Sequence, residues 1–469
     1  MSRGFDSIAD PVVGVDPLPA SLVAQPGLTR LARGWLWLGL LALAGSGVFA
    51  VLLVLSRTPQ LNQWLPVADF FRVALIVHVD LSVLVWLVSL AGLLWSISGS
   101  MRAPGLAWLA LGLCAAGTSL MALAPFMGQS APVMANYIPV VDGTMFLAGL
   151  AVFGLGGAAL VLRGLIATQP TGPGLAGEGA LRFGLNASVV AGAVAVLSFG
   201  ASLLLVPRSL DAQTYFEILF WGGGHALQFV WTLLMLVAWL WLAGATGARV
   251  PLSPRLTVLM FVLALASVFA TPFAYFAADV TSVEFRQINT WAMRLGGGIA
   301  IVPISLAVGV GLLRAGASRD ARALPLRAAL VASIVLFGAG GLIGALINGS
   351  NVRIPAHYHG SIVGVTLALM GLVYLLMPRL GYQAPAGRLA VWQPMLYGAG
   401  QLLHIIGLVW SGGYGVQRKV AGADQVLRST PEVIGMGLMG LGGLIAIIGG
   451  LLFVVVVARS MRRVAASRE

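Results

Sequence analysis

Five histidines, His78, His225, His357, His359 and His404, are the residues of this sequence best suited to chemistry. Each stands within or at the end of a long apolar stretch, where a polar ring is costly and generally marks function. Neutral imidazole is a common metal ligand, and haem iron is among the metals it holds. His357 and His359, in PAHYHGSIVG, are two positions apart. On a helix that spacing turns them about 200° from one another. One helix could therefore ligate two haems placed on either side of it.

The elements that must position these rings are long and hydrophobic. Of 469 residues, 59% are hydrophobic and only 9% charged, which excludes a soluble domain with a solvated charged surface. Runs that meet the requirement of about 20 residues for crossing a bilayer lie at 31–56, 70–98, 105–126, 143–166, 182–206, 217–244, 254–277, 288–314, 325–347, 354–377, 389–411 and 432–458. The expectation is an all-α membrane protein of twelve transmembrane helices over residues 31–469. Residues 1–30 are Pro-rich and lack the apolar core of a signal peptide, so they read as a retained, disordered cytoplasmic tail. Cys114, the only cysteine, lies in an apolar run and reads as packing.

The net charge of +12 is distributed as a membrane protein distributes it, and no nucleic-acid partner is expected. With both termini cytoplasmic, eighteen of the 27 basic residues fall on the inner side, Arg163 among them. The remainder mix with acidic residues outside. This positive-inside pattern orients the chain, as in a bacterial inner membrane. It also puts the five histidines within a few residues of one depth, since each then lies about four to eight positions from the outer end of its helix.

At this point the motifs resemble a known family, the catalytic subunit I of the haem-copper oxidases. AHYHGSIVG is similar to the tenth-helix His-x-His, LIVHVDLSVLVW to the second-helix ligand segment, and FWGGGHALQF to the sixth-helix motif with Trp221 four residues before His225. GYGVQRKVAG resembles the basic pair that holds haem propionates, here Arg418 and Lys419, the latter the only lysine. The resemblance implies a low-spin haem on His78 and His359 and a high-spin haem, open to O2 or NO, on His357. It implies b-type haems, lipid as solvent, and electrons from a donor subunit or cytochrome c.

The sequence departs from that family at the second metal. Copper B is held there by three histidines, but no histidine occurs between His225 and His357, and one imidazole cannot hold copper alone. His225 is accordingly expected to mark a vestigial or altered site, with copper absent. Phe229 stands where many O2-reducing members carry a tyrosine, and Tyr275 reads as an interfacial anchor. Asp80, Asp142, Asp211, Glu217, Asp279 and Glu284 all fall toward the outer side, so protons consumed in a reaction would enter from there. Two functions stay open: a di-haem oxidoreductase of the oxidase or nitric oxide reductase type, and a copper-less di-haem electron carrier or gas sensor. A secondary transporter would account for Gly222 to Gly224 and Gly296 to Gly298 as broken helices, but not for the histidines.

Overall fold

The expected apolar runs are helical, one of them in two pieces, in the computed structural model, which describes residues 16, 18, 25–56, 70–128, 131–172, 176–318, 320–349, 351–418 and 427–462. The expected tail over 1–30 lies mostly outside the described residues. The first helix, α1 (Pro26–Ser56), begins inside its last five positions, with Pro26 at the helix start, where a missing N–H costs nothing.

The chain divides into two compact units, one with Met1–Gly244 and Ala248–Arg314, the other with Ala245–Gly247 and Ala315–Glu469. The first unit contains α1, α2 (Phe70–Ser98), α3 (Pro104–Leu123), α4 (Thr144–Ala167), α5 (Gly177–Leu205), a short α6 (Ala212–Leu219), α7 (Trp221–Ala245, its last residue assigned to the other unit), α8 (Pro254–Ala277) and, but for its last residue, α9 (Val283–Ala315). The second contains α10 (Ala323–Ala345), α11 (Arg353–Leu376), α12 (Arg388–Gly413) and α13 (Thr430–Arg462). Among the described residues, eleven helices are long and apolar enough to cross a membrane. Helix α12 matches them in length at 26 residues, but it carries Gln393, Gln401 and His404 among its apolar residues. The chain is an integral membrane protein.

Four local departures from simple spans matter for function. The run 217–244 is two helices, because α6 ends at Leu219 and α7 starts at Trp221; Asp211 caps α6 by accepting from the Thr214 N–H at 3.1 Å. Between α3 and α4 lies a ribbon of two short antiparallel strands, β1 (Ala131–Val133) and β2 (Val140–Asp142), which hydrophobic periodicity did not announce. Helix α2 contains a π-helical turn over Asp80–Val85. Such π-turns inside helices are frequent at functional sites.

The fourth departure is at Arg163, counted among the inner-side basic residues, which is buried. Its side chain is buried in α4 and its guanidinium donates to the Trp95 carbonyl at 3.0 Å and the Ser100 carbonyl at 2.7 Å. Trp95 is among the last four residues of α2, whose carbonyls have no N–H partner within the helix. A cation there also meets the negative end of the helix dipole.

In the second unit small residues allow unusually close approach. A Cβ added at Gly340 of α10 would lie 2.5 Å from the Ser361 nitrogen of α11, and one at Gly360 would lie 2.6 Å from the Gly340 Cα. Close backbone approach through glycine is the usual device for packing helices where no water drives them together.

Candidate haem-binding site

In the first unit, α1 presents Ser46 to His78 on α2. His78 Nδ1 lies 2.9 Å from the Ser46 carbonyl oxygen and 2.9 Å from Ser46 Oγ. A carbonyl can only accept, so Nδ1 carries the hydrogen and Nε2 keeps its lone pair. The His78 carbonyl in turn accepts from Ser46 Oγ at 3.1 Å and from Ser82 Oγ at 2.7 Å, across the start of the π-turn. Asp80, 2% exposed, stands in that turn, and its Oδ2 meets no hydrogen-bond partner among the described residues. Asp80 is thus buried within the helix.

The same configuration recurs in the second unit. His357 Nδ1 donates to the Gly340 carbonyl at 2.7 Å, and His404 Nδ1 donates to the Met439 carbonyl of α13 at 2.9 Å. Among the described residues no hydrogen-bond partner meets Nε2 of His78, His357 or His404. Giving the Nδ1 hydrogen to a main-chain carbonyl fixes tautomer and ring orientation, and it leaves Nε2 as the ligating atom. Gly344 makes room for this, since a Cβ there would lie 2.5 Å from His357 Nδ1. His359 packs its ring against Tyr358, with centroids 5.2 Å apart, and against His404 at 4.8 Å. Arg418 is half-buried and close enough to Tyr358, between the two histidines, for its charge to act on that phenol. Lys419 lies outside the described residues.

His225 on α7 is different. Its Nδ1 donates to the Trp221 carbonyl at 2.7 Å, but its Nε2 accepts from the Tyr137 hydroxyl at 2.9 Å. Tyr137 sits on the β1–β2 connection, its ring 4.8 Å from that of His225 and edge-on to Trp221 at 5.6 Å. Burial, and after it the negative charge of Glu217, push the Tyr137 phenol well above its ordinary range, so it remains the donor. Asn136 beside it holds Glu217 of α6 through its backbone N–H at 3.0 Å and through its side-chain amide. Sequence reasoning missed Tyr137, because nothing in a short irregular connection signals which helix it will fold against.

The neighbouring glycines serve aromatic packing. A Cβ at Gly222 would meet Tyr275, one at Gly223 would meet Phe199 and one at Gly224 would meet Tyr137, each within 2.5 Å, while α7 runs unbroken through all three. Tyr275 donates its hydroxyl to the Ser198 carbonyl at 2.9 Å and pairs with Ser202 on α5.

The model of the family described as cytochrome c and quinol oxidase polypeptide I matches residues 30–452. The chain belongs to that family. It is 30% identical over 512 aligned residues to an uncharacterized protein of Rickettsia prowazekii (strain Madrid E), covering 92% of this chain and 96% of that one. An uncharacterized protein of Aquifex aeolicus (strain VF5) is 29% identical over 364 residues, 77% of this chain and 88% of that one. In fold the chain is similar to a heme-copper terminal oxidase solved as a dimer by cryo-electron microscopy, with a TM-score of 0.69 and 17% identity over 94% of this chain and 85% of that one.

Members of this family normally bind haems. The open Nε2 atoms of His78 and His357 are donors of the kind that could hold a haem iron. Copper B does not fit, because both ring nitrogens of His225 are engaged and no group of three His, Cys, Asp or Glu side chains able to hold a metal ion occurs among the described residues.

Proposed function

We propose that this protein is a di-haem membrane oxidoreductase in which electrons from a cytochrome c-type donor or a donor subunit pass through a low-spin haem to a high-spin haem that binds O2 or NO. His78 and His359 would hold the first haem and His357 the second, b-type in both cases, with Arg418 and Lys419 at the propionates. The observation that carries this reading is the shared state of His78 and His357, each with Nδ1–H given to a carbonyl and Nε2 open. When bound, such haems would supply one-electron transfer and the binding of a diatomic gas. The chain's own part is to fix each ring plane, to raise ligand basicity through the carbonyl bond, and to shield the irons from water within an apolar bundle. The setting is a bacterial inner membrane with both termini cytoplasmic and residues 1–30 as a tail.

The engagement of His225 by Tyr137 favours a second reading, in which the protein carries electrons or senses a gas without respiratory turnover. The test is haem per chain by pyridine haemochrome, with copper and iron by elemental analysis, on the wild type and on His78→Ala and His357→Ala. Two haems and no stoichiometric copper are expected. His78→Ala should lose the low-spin spectrum alone, and His357→Ala should lose CO binding by the reduced protein alone. Retention of both signals in both variants sinks the assignment. Steady-state O2 consumption then separates the two readings: turnover within the usual enzymatic range of about 1–1,000 per second supports the oxidase, and gas binding without turnover supports the sensor or carrier.

A further inference from the structure

Arg353 opens α11 one turn before His357, on a helix that carries no Asp, Glu or Lys and no other Arg. Residues four apart share a helix face, and both side chains lean toward the helix start, so the guanidinium and the imidazole belong to one side of α11. A cation in the first turn opposes the helix dipole. Nothing described around it offsets that cost at Nε, which is buried and meets no hydrogen-bond partner among the described residues. The side chain lies in a cradle of two glycines at the end of α12. A Cβ at Gly412 would fall 2.7 Å from Arg353 Cγ, and one at Gly413 would fall 3.4 Å from its Nη2. The last turn of α12 closes on itself there: the Ser411 carbonyl accepts from the N–H of Tyr414 at 3.0 Å and of Val416 at 3.3 Å, and the Gly412 carbonyl from that of Gly415 at 3.3 Å. Capping α12 therefore does not account for the guanidinium.

The geometry points to Arg353 as a further cofactor-binding residue, which takes a propionate carboxylate of the haem on His357 in addition to the roles of Arg418 and Lys419. A guanidinium presents its Nε–H and one Nη–H side by side, a fork that matches the two oxygens of a carboxylate. An anion at that edge would satisfy the orphaned Nε and sit favourably at the positive end of the α11 dipole. The glycine cradle is what lets the stem of Arg353 pass the α12 backbone to reach such a position. The inference rests on the proposed role of His357 as a haem ligand.

The test uses the purified full-length protein with its haems. Haem per chain, the rate of haem transfer to excess apomyoglobin and the midpoint potential of each haem are measured for the wild type, Arg353→Gln, Arg353→Lys and His357→Ala, with CO marking the His357 haem. Arg353→Gln should release the CO-binding haem about tenfold faster, the scale of a lost hydrogen bond to a charged group. Its potential should fall, because removing a nearby cation favours the ferric state. Arg353→Lys keeps the charge without the fork, so it should speed release while lowering the potential less. The low-spin haem should be unchanged in both. Release and potential of the CO-binding haem that match the wild type in Arg353→Gln overturn the inference, as does an effect confined to the low-spin haem. If Arg353→Gln does not fold, an unchanged release rate in Arg353→Lys overturns it equally. CO binding that survives His357→Ala would overturn the ligand role of His357 and the inference with it, a result distinguishable from failure at Arg353 alone.

Discussion

The Tyr137 hydroxyl donates to Nε2 of His225 at 2.9 Å, at the nitrogen that a second metal would otherwise compete for. His225 is only 3% exposed, so water cannot replace that donor freely. Tyr137→Phe should therefore lower stability by about 1–3 kcal/mol, the cost of a buried polar atom left without its partner. Thermal unfolding in detergent measures it. His225→Phe combined with Tyr137→Phe should cost less than the two single changes added together, since neither ring then leaves the other unsatisfied. Simple additivity would show that the bond contributes nothing.

A pH dependence follows from the same phenol. Its folded pKa is raised above the unfolded value near 10.0 by burial and then by Glu217. The folded state therefore holds the proton more tightly, so the stabilisation is fully present below the unfolded pKa and is lost as pH rises above it. The melting temperature of the wild type should fall more steeply above about pH 10 than that of Tyr137→Phe, with parallel curves at neutral pH. Equal slopes on the alkaline side would contradict the assignment.

Gly344 is the position where the smallest addition should disturb the proposed high-spin site. Its Cβ would meet His357 Nδ1 at 2.5 Å, and the ring is already held to the Gly340 carbonyl. Gly344→Ala should weaken CO binding by the reduced protein by about tenfold or more, as loss of outer-shell support commonly does. The low-spin spectrum should not change. CO titration followed optically reads both.

Arg163 should prove structural. Removing its guanidinium leaves the Trp95 and Ser100 carbonyls without their donor, so Arg163→Met should destabilise by about 2 kcal/mol or more. Arg163→Lys should recover only part, because a compact ammonium does not span both acceptors as a planar fork does. Thermal unfolding and yield from membranes report the effect, while haem spectra of the surviving protein should match the wild type.

The helices and the histidines were legible in the sequence because hydropathy over about 20 residues and a polar ring in an apolar run are both strong local signals. His-x-His, two positions apart on one helix, suggested ligands facing two sides from its spacing alone. What the sequence did not display is how main-chain atoms dispose of the rings. The Ser46, Gly340 and Met439 carbonyls that orient His78, His357 and His404 belong to residues of no distinctive type, placed by helix packing. Arg163 looked like an ordinary inner-side charge because its acceptors are carbonyls at the end of another helix. Tyr137 was hidden for a related reason: the ribbon that delivers it has strands of three residues, too short for a periodicity.

That ribbon ties events outside the bilayer to a side chain within it. Through Asn136 it grips the short helix that precedes α7, and through the next residue it reaches the imidazole on α7 itself. A protease cut or a bound partner on this connection would thus be felt at His225 without passing along any transmembrane helix. Displacing the loop would leave His225 Nε2 without its hydrogen-bond donor.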